Sequence, residues 1–353
     1  MGGGGWANLL AMIGTAVACP DKFRGTLSAA EAAAAMARGL RSVGIESVVE
    51  LPLADGGEGT LDVIRAVRGG ALRTATVTGP LGDPVLAEWA MLGDGTAVIE
   101  MANASGRALV SAERRDPLVA STRGTGELIA IAIRAGAQRV IVGVGGSATT
   151  DGGLAAVQAL DWSLGQVPVT VACDVRTEFL DAATVFGPQK GASPAQVGLL
   201  TRRLEQVAGA YRDRLGVDVT GVEGAGAAGG LAGGLLAIGA TIEPGFDAVA
   251  EVVGLEAVLE SADLVITGEG KVDRTSFHGK VVGGVLELAD AVGMAHRGVI
   301  AGQITDDARE ELAAMPEVTA LALTDRVWQA GEAFARAALL VEESAVEIAR
   351  SAG

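Results

Sequence analysis

The chain has 353 residues, a formal net charge of −16 and an isoelectric point of about 4.6. Nucleic acids and anionic membrane surfaces bind basic footprints, so this charge argues against both as partners. No stretch predicts a membrane span, and the length favours two domains. Cys19 and Cys173 lie in apolar runs, which is typical of buried thiols in a reducing cytoplasm, so we expect a cytoplasmic protein.

The first hundred residues predict two βα units followed by antiparallel hairpins. Residues 1–12 are interpreted as an N-terminal extension, and IGTAVAC predicts the first strand. Ser28 and Glu31 match the S-x-x-E capping box and open an alanine-rich helix. SVVELPL predicts a second strand and LDVIRAV a second helix. From Thr74 to Met101, Gly-Pro and Gly-Asp-Gly turn signals separate short β-like runs, which indicates hairpins.

The remaining sequence alternates between strand and helix patterns. DLVIT, RGVIAG and VTALALT predict three C-terminal strands, and FDAVAEVVGLEAVLESA predicts a helix before them. Together with the two N-terminal strands they predict a five-stranded, doubly wound parallel sheet, interrupted by an insertion. We therefore predict an α/β protein in which residues 13–73 and 235–353 form one domain and residues 74–234 form an inserted α/β domain.

The distribution of lysine marks the candidate chemistry. Of the 27 Lys and Arg residues only four are Lys, and all four fall in segments predicted to be glycine-rich loops: Lys22, Lys190, Lys271 and Lys280. Ligands bind beyond the carboxyl ends of the strands in open α/β sheets, where these loops are expected. A chain that otherwise uses Arg has reason to keep Lys where a compact point charge is needed.

Cationic loops, glycine-rich backbone and carboxylates together favour phosphoryl transfer. Lysine and arginine neutralise phosphate oxygens, Mg²⁺ takes carboxylate ligands, and glycine loops let backbone N–H groups approach phosphate. The loop GVGGSATTDGG suits this role. Each feature also has an ordinary structural reading, because glycine turns and an Asp after a strand are common in any α/β fold, and His278 alone is weak evidence. The carboxylate candidates are Asp55, Asp151, Asp174, Glu269 and Asp273.

Several common nucleotide-binding signatures are absent from the sequence. Both Gly-Lys pairs are followed by Val, so the P-loop pattern is not met. No G-x-G-x-x-G follows the first predicted strand, which disfavours a dinucleotide-dependent dehydrogenase. The protein-kinase signature set is missing as well.

Ordered blocks along the chain resemble the bacterial type I glycerate kinases. They are PDKFRGTLSA, PLADGGEGT, GPLGDPV, VIEMANASG, STRGTGELI, GVGGSATTDGG, ACDV, FGPQKGA, GAGAAGGL and DLVITGEGKVDRTSFHGK. The resemblance implies ATP-dependent phosphorylation of D-glycerate, typically to 2-phosphoglycerate. It also implies a flavodoxin-like domain with a second α/β domain inserted, and an active site in the cleft between them.

On this interpretation Lys22, Asp55 and Asp174 are catalytic, and Asp55 and Asp174 are also the candidate Mg²⁺ ligands. The sequence does not divide the base and metal roles between the two Asp residues. ATP and Mg²⁺ are the expected cofactors, D-glycerate the partner molecule, and a homo-oligomer remains open. The candidate substrate- or phosphate-binding residues are Arg24, Gly145, Gly146, Ser147, Thr149, Thr150, Asp151, Lys190, Glu269, Lys271, Asp273, Arg274, His278 and Lys280.

Three departures from the family pattern leave alternatives open. The segment 160–169 is short, Thr177 and Glu178 stand where relatives have Asn-Pro, and Arg274 stands where relatives often have Gln. One alternative is therefore a kinase of a related small hydroxy acid. Another is a non-catalytic sensor of organic acids or nucleotides. ADP release that depends on D-glycerate would separate the sensor from an enzyme.

Overall fold

The computed structural model describes residues 13–328 and 330–352, so the predicted N-terminal extension lies outside the described residues. The chain folds into two compact units. The first unit contains residues 13–55 and 249–352, and the second contains residues 56–248. Among the described residues no helix combines the length and apolar character needed to cross a membrane.

The strands and helices alternate as the sequence predicted. In chain order the strands are β1 (Thr15–Ala18), β2 (Ser47–Glu50), β3 (Ala71–Thr78), β4 (Pro84–Met91), β5 (Thr96–Glu100), β6 (Arg139–Gly143), β7 (Val169–Ala172), β8 (Thr241–Glu243), β9 (Leu264–Val272), β10 (His296–Ile304) and β11 (Val318–Ala322).

The α-helices follow the same order. They are α1 (Ala29–Ser42), α2 (Thr60–Arg68), α3 (Ala102–Ser105), α4 (Arg123–Arg134), α5 (Leu154–Ala159), α6 (Ala182–Phe186), α7 (Pro194–Leu215), α8 (Ala227–Ala237), α9 (Gly245–Val253), α10 (Leu255–Glu260), α11 (Val281–Ala291), α12 (Asp306–Ala313), α13 (Ala330–Ala335) and α14 (Ala337–Ala352). Short 3-10 helices span Arg107–Leu109, Ala112–Arg114, Pro188–Lys190, Arg274–Phe277 and Leu323–Arg326.

The first unit is built on a five-stranded parallel sheet in the order β11-β10-β9-β1-β2. Numbered within the unit, this is the 2-1-3-4-5 order of flavodoxin-like folds, so the predicted fold class is confirmed. Its central strands are short apolar runs buried on both faces, as a parallel sheet covered by helices requires. Ala16, Val17 and Ala18 of β1 and Leu264 and Ile266 of β9 are fully buried.

Helix α1 is fixed at its start by a side-chain cap and along its length by close packing. Ser28 and Glu31 form the predicted capping box, in which the Ser28 hydroxyl accepts from the Glu31 backbone N–H. The helix packs on α14 through small residues. A Cβ at Gly39 would overlap the Glu342 carbonyl oxygen and lie 3.0 Å from the Cβ of Ala345. The two helices therefore approach closely only because position 39 lacks a side chain.

The second unit contains a six-stranded mixed sheet in the order β3-β4-β5-β6-β7-β8. The pairs β3–β4 and β4–β5 are antiparallel, as the turn signals predicted, and the remaining pairs are parallel. One core lies against this sheet around Trp89 and Leu128. A second core surrounds Tyr211 and Phe179, which contact each other edge to face.

The units divide at 55/56 and 248/249, whereas the sequence placed the domain boundaries at 73/74 and 234/235. Local contacts account for the difference. The Glu100 carboxylate on β5 accepts from the backbone N–H groups of Gly59 and Leu61, which ties the start of α2 to the second unit. Strand β8 pairs with β7, which keeps residues 241–243 in that unit.

Three predicted elements differ in extent. Strand β9 continues through Val272, so Lys271 lies on a strand and not in the predicted loop. Lys190 was also predicted to lie in a loop, and it lies in a 3-10 helix. The helix predicted over FDAVAEVVGLEAVLESA is two helices, because Gly254 adopts a left-handed conformation with φ of 72°.

We predict that Gly39→Ala destabilises the protein by about 1–3 kcal/mol, because the added methyl group must displace the backbone of α14. A matched control is Gly209→Ala in α7, where nothing lies within 4 Å of the added Cβ. That variant should be neutral or stabilising by up to about 1 kcal/mol. Urea unfolding of both variants measures the contrast, and equal effects of the two substitutions would contradict close packing at Gly39.

Candidate active site

A pocket of about 450 Å³ lies in the first unit at the carboxyl ends of its parallel strands. Strands β1 and β9 are neighbours there, at the point where the strand order reverses, which is where open α/β sheets bind ligands. Its charged lining consists of four cations and four carboxylates: Lys22, Arg24, Lys271, Lys280, Asp21, Asp55, Glu269 and Asp273.

Strand β9 extends beyond the end of its neighbour β1, and two of the charged pocket residues, Glu269 and Lys271, lie on this extension. Pairing with β1 ends at Ile266, whereas pairing with β10 continues to Val272. Residues two apart on a strand point to the same face, so Glu269 and Lys271 share one face of the projecting segment. The register places Glu269 opposite Ala301.

The remaining cations come from two other backbone segments. Lys22 and Arg24 follow β1 in a segment that turns back on itself through a bridge between Phe23 and Leu27. Lys280 directly precedes α11, and its Nζ donates to Thr275 Oγ1 at 2.8 Å. Three separate parts of the chain thus supply positive charge to one pocket.

Asp21, which the sequence analysis did not select, is the most perturbed carboxyl of the pocket. It is 7% exposed, and its Oδ1 accepts from the backbone N–H of Lys22 at 2.6 Å. Burial, followed by the charge of Asp55, raises the pKa of Asp21 to about 7. This carboxyl therefore exchanges its proton near neutral pH, which suits a group that takes part in proton transfer.

The other carboxylates differ in their surroundings. Burial raises the pKa of Glu269, and its buried Oε1 has no hydrogen-bond partner among the described residues. Hydrogen bonding from the Thr275 side chain lowers the pKa of Asp273, which caps the 3-10 helix that follows it. One carboxyl is thus held charged, and another presents an unsatisfied acceptor oxygen.

The carboxyl groups of the pocket are of the kind that hold Mg²⁺ together with other ligands. Among the described residues there is no group of three or more His, Cys, Asp or Glu side chains placed to hold a metal by themselves. Magnesium is usually bound by one or two carboxylates together with substrate phosphates and water. The unsatisfied Glu269 oxygen and the nearby Asp55 provide such oxygen ligands.

Two predicted residues of the first unit lie outside the pocket lining. Arg274 and His278 are exposed at the two ends of the segment that carries the 3-10 helix Arg274–Phe277. The His278 backbone N–H donates to the Thr275 carbonyl.

The glycine-rich loop 143–153 belongs to the second unit, and packing accounts for its glycines. A Cβ at Gly145 would lie 2.7 Å from Gly57 Cα, and one at Gly146 would lie 2.6 Å from Glu58 Oε1. Ser147 pairs with Gly106 through an isolated bridge. These glycines let two loops approach each other, so their presence does not require a bound phosphate.

The threonines of the same loop are buried. Thr149 Oγ1 donates to the Ala228 carbonyl at 3.1 Å, where Ala228 has an unusual φ of 54°. Thr150 Oγ1 is buried and has no hydrogen-bond partner among the described residues.

The charged candidates of the second unit hold backbone groups. Asp151 accepts from the backbone N–H and hydroxyl of Thr122 at 2.8 and 2.9 Å, and burial raises the pKa of Asp151. Asp174 accepts from the Gly245 N–H at 3.0 Å. Lys190 is 3% exposed and donates to the Thr149 carbonyl at 2.5 Å, and burial lowers its pKa to about 7.

The structure therefore brings together seven of the predicted residues in the first unit and adds others. Asp21 could have been found, because it directly precedes Lys22 in a loop already selected. Gln303, Leu323, Thr324 and Phe334 also line the pocket, and no local motif distinguishes them in the sequence. The seven are Lys22, Arg24, Asp55, Glu269, Lys271, Asp273 and Lys280.

We predict that Asp21→Asn stabilises the metal-free protein at pH 8 by about 1–3 kcal/mol and has little effect below pH 4. The folded state of the wild type retains the Asp21 proton up to a pKa of about 7, whereas the unfolded chain releases it near pH 4. The free energy of unfolding of the wild type, relative to that of the variant, therefore decreases as the pH rises from about 4 to about 7.

Denaturant unfolding in a chelating buffer between pH 4 and pH 8 measures the Asp21 effect. Glu46→Gln, at an exposed position of the same unit, is the control and should show no such trend. A variant less stable than wild type at pH 8 would contradict the raised pKa.

Comparison with known proteins identifies the family. The model of the glycerate kinase family matches residues 16–166 and 160–353. Glycerate 2-kinase of Escherichia coli K12 is 44% identical to this chain, and the alignment covers 82% of this chain and 86% of that protein. A glycerate kinase of Bacillus subtilis 168 is 43% identical, and the alignment covers 82% of this chain and 85% of that protein. A crystal structure of a protein assigned as glycerate kinase 2 from Salmonella typhimurium LT2 superposes with a TM-score of 0.81 at 35% identity, covering 96% of this chain and 97% of that one. The chain therefore belongs to the glycerate kinase family and is a kinase.

Proposed function

We propose that this enzyme transfers the γ-phosphoryl group of ATP to D-glycerate and forms 2-phosphoglycerate. The observation that carries the proposal is the convergence of four cations and four carboxylates on one pocket of a chain with a net charge of −16. The cations suit the phosphate oxygens of ATP, and the carboxylates suit the divalent cation that accompanies them. The Escherichia coli relative is a glycerate 2-kinase by name, which supports the 2-position of glycerate as the acceptor.

The pocket's cations have a clear role in this reaction. The transferred group carries its charge on the phosphoryl oxygens, so fixed positive groups aimed at those oxygens lower the barrier. We assign phosphate binding to Lys22, Arg24 and Lys280. Lysine offers a compact charge with rotatable N–H donors, which suits close approach to a tetrahedral phosphate.

The carboxylates divide between metal binding and proton handling. Asp55 and Glu269 are the residues that would hold Mg²⁺, which would supply positive charge to neutralise the phosphate. Asp21 has a pKa of about 7 and is suited to accept the proton of the attacking hydroxyl. Asp174 is proposed as a further catalytic carboxylate.

The buried free thiols Cys19 and Cys173 agree with a reducing cytoplasm as the place of action. The comparisons match kinases, and none of them supports a non-catalytic sensor or a kinase of another hydroxy acid.

Product analysis tests the proposal directly. With ATP, Mg²⁺ and D-glycerate, we expect ADP to form and the product to be consumed by enolase without an added mutase. Excess chelator should abolish turnover. A product that enolase accepts only after a mutase is added would indicate the 3-isomer, and ADP formation independent of D-glycerate would contradict the proposed acceptor.

We predict that Lys280→Ala and Lys280→Arg each lower kcat/KM on the order of a hundredfold. The Ala variant removes a charge that stabilises the transition state, and the wider planar guanidinium of the Arg variant does not reproduce its geometry. Thermal stability should change little, because the ammonium group lines a pocket.

Arg38→Ala provides the matched control, since it removes one positive charge from an exposed ion pair outside the pocket. Steady-state kinetics and melting curves are the measurements. Near wild-type kcat/KM in Lys280→Arg would contradict the geometric argument, and in Lys280→Ala it would exclude Lys280 from the site.

A further inference from the structure

The pocket changes character along the strand order of the first unit. The charged lining groups lie on β9 or in the segments that follow β1, β2 and β9, whereas Gln303 lies on β10 opposite Lys271 and Leu323 follows β11. Helices α13 and α14 complete the apolar part with Ala333, Phe334 and Ala337. A ligand that fills the pocket therefore meets charged groups over one part of its surface and apolar groups over another.

The pocket is larger than a small hydroxy acid requires. From β11 to β1 there are three strand spacings, which correspond to roughly 14 Å. The volume of about 450 Å³ lies within the range of pockets that hold drug-sized ligands. Glycerate would fill only part of this space, whereas an extended nucleotide spans it.

Phe334 is the aromatic group of the apolar end. The chain has only six Phe, four Trp and one Tyr, and Phe334 is 60% exposed although it lines a pocket. Its ring lies over Gly25, where an added Cβ would be 3.8 Å from the ring edge. An exposed ring beside a pocket offers an apolar face on which a flat heterocycle can stack.

We propose that the apolar end of this pocket binds the base of the nucleotide, with Phe334 as the stacking surface. Thr324, next to Leu323, and Gln303 on β10 line the same pocket and provide hydrogen-bonding groups for the edge of the base. This inference rests on the proposed function, because the charged part of the pocket must hold the triphosphate of the same ligand. It makes Phe334 a binding residue that discriminates nucleoside triphosphates from bare polyphosphate.

The test is the kinetic behaviour of Phe334→Ala. We expect the KM for ATP to rise about tenfold or more, with kcat at saturating ATP and the KM for D-glycerate within about twofold of wild type. Phe334→Tyr should keep the wild-type KM for ATP. An unchanged KM for ATP in Phe334→Ala would overturn the inference.

Two controls keep the result specific. Trp328 is 99% exposed and does not line the pocket, so Trp328→Ala removes an aromatic group nearby and should leave all constants unchanged. Inorganic tripolyphosphate lacks a base and should inhibit wild type and Phe334→Ala equally. Weaker inhibition of the variant would mean that Phe334 acts on the phosphates, which also overturns the inference.

Calorimetric titration with ADP separates this inference from the proposed function. Weaker ADP binding by Phe334→Ala, with equal tripolyphosphate binding, supports the base site even if D-glycerate is not the acceptor. If wild type phosphorylates D-glycerate and both ADP affinities are equal, the proposed function stands and the base site fails.

Discussion

The parallel pairing of β1 with β9 is the constraint on which the first unit depends. It joins residues about 250 positions apart, with Ala16 opposite Leu264 and Ala18 opposite Ile266. All four residues are fully buried, so the pairing is stabilised by apolar burial as well as by its hydrogen bonds. It also creates the reversal of strand order, and the pocket lies at that reversal.

The same pairing explains why charge can be gathered at one edge of the sheet. Strand β1 ends at Ala18, β9 continues to Val272, and the chain that follows β1 fills the space beside the longer strand. Carboxyls brought there lose solvent and face one another, which raises the pKa values of Asp21 and Glu269. The cations offset part of this cost, and a bound phosphate with its metal ion would complete the balance.

The second unit shows how a sequence motif can have two explanations. The loop 143–153 has the glycines and hydroxyl groups of a phosphate-binding loop, yet close packing accounts for its glycines, as at Gly145, where a Cβ would lie 2.7 Å from Gly57 Cα. Lys190 is held by the Thr149 carbonyl, and Asp151 by Thr122. Each of these charged side chains supports local backbone, and a role in substrate binding would come in addition to that.

Local patterns in the sequence were sufficient for the elements, the fold class and most of the charged pocket. The capping box at Ser28, the hairpin turns before Met101 and the Lys-bearing segments are contiguous in the chain, so their physics is readable without a structure. The extent of β9 was not readable, because its last residues are strand only through pairing with β10. The raised pKa of Asp21 depends on burial by distant segments, and Phe334 reaches the pocket only because α13 follows β11 at the sheet edge. Residue type and spacing along the chain thus determined which groups were available, whereas burial and the meeting of distant segments, which arise only on folding, decided which of them form one site.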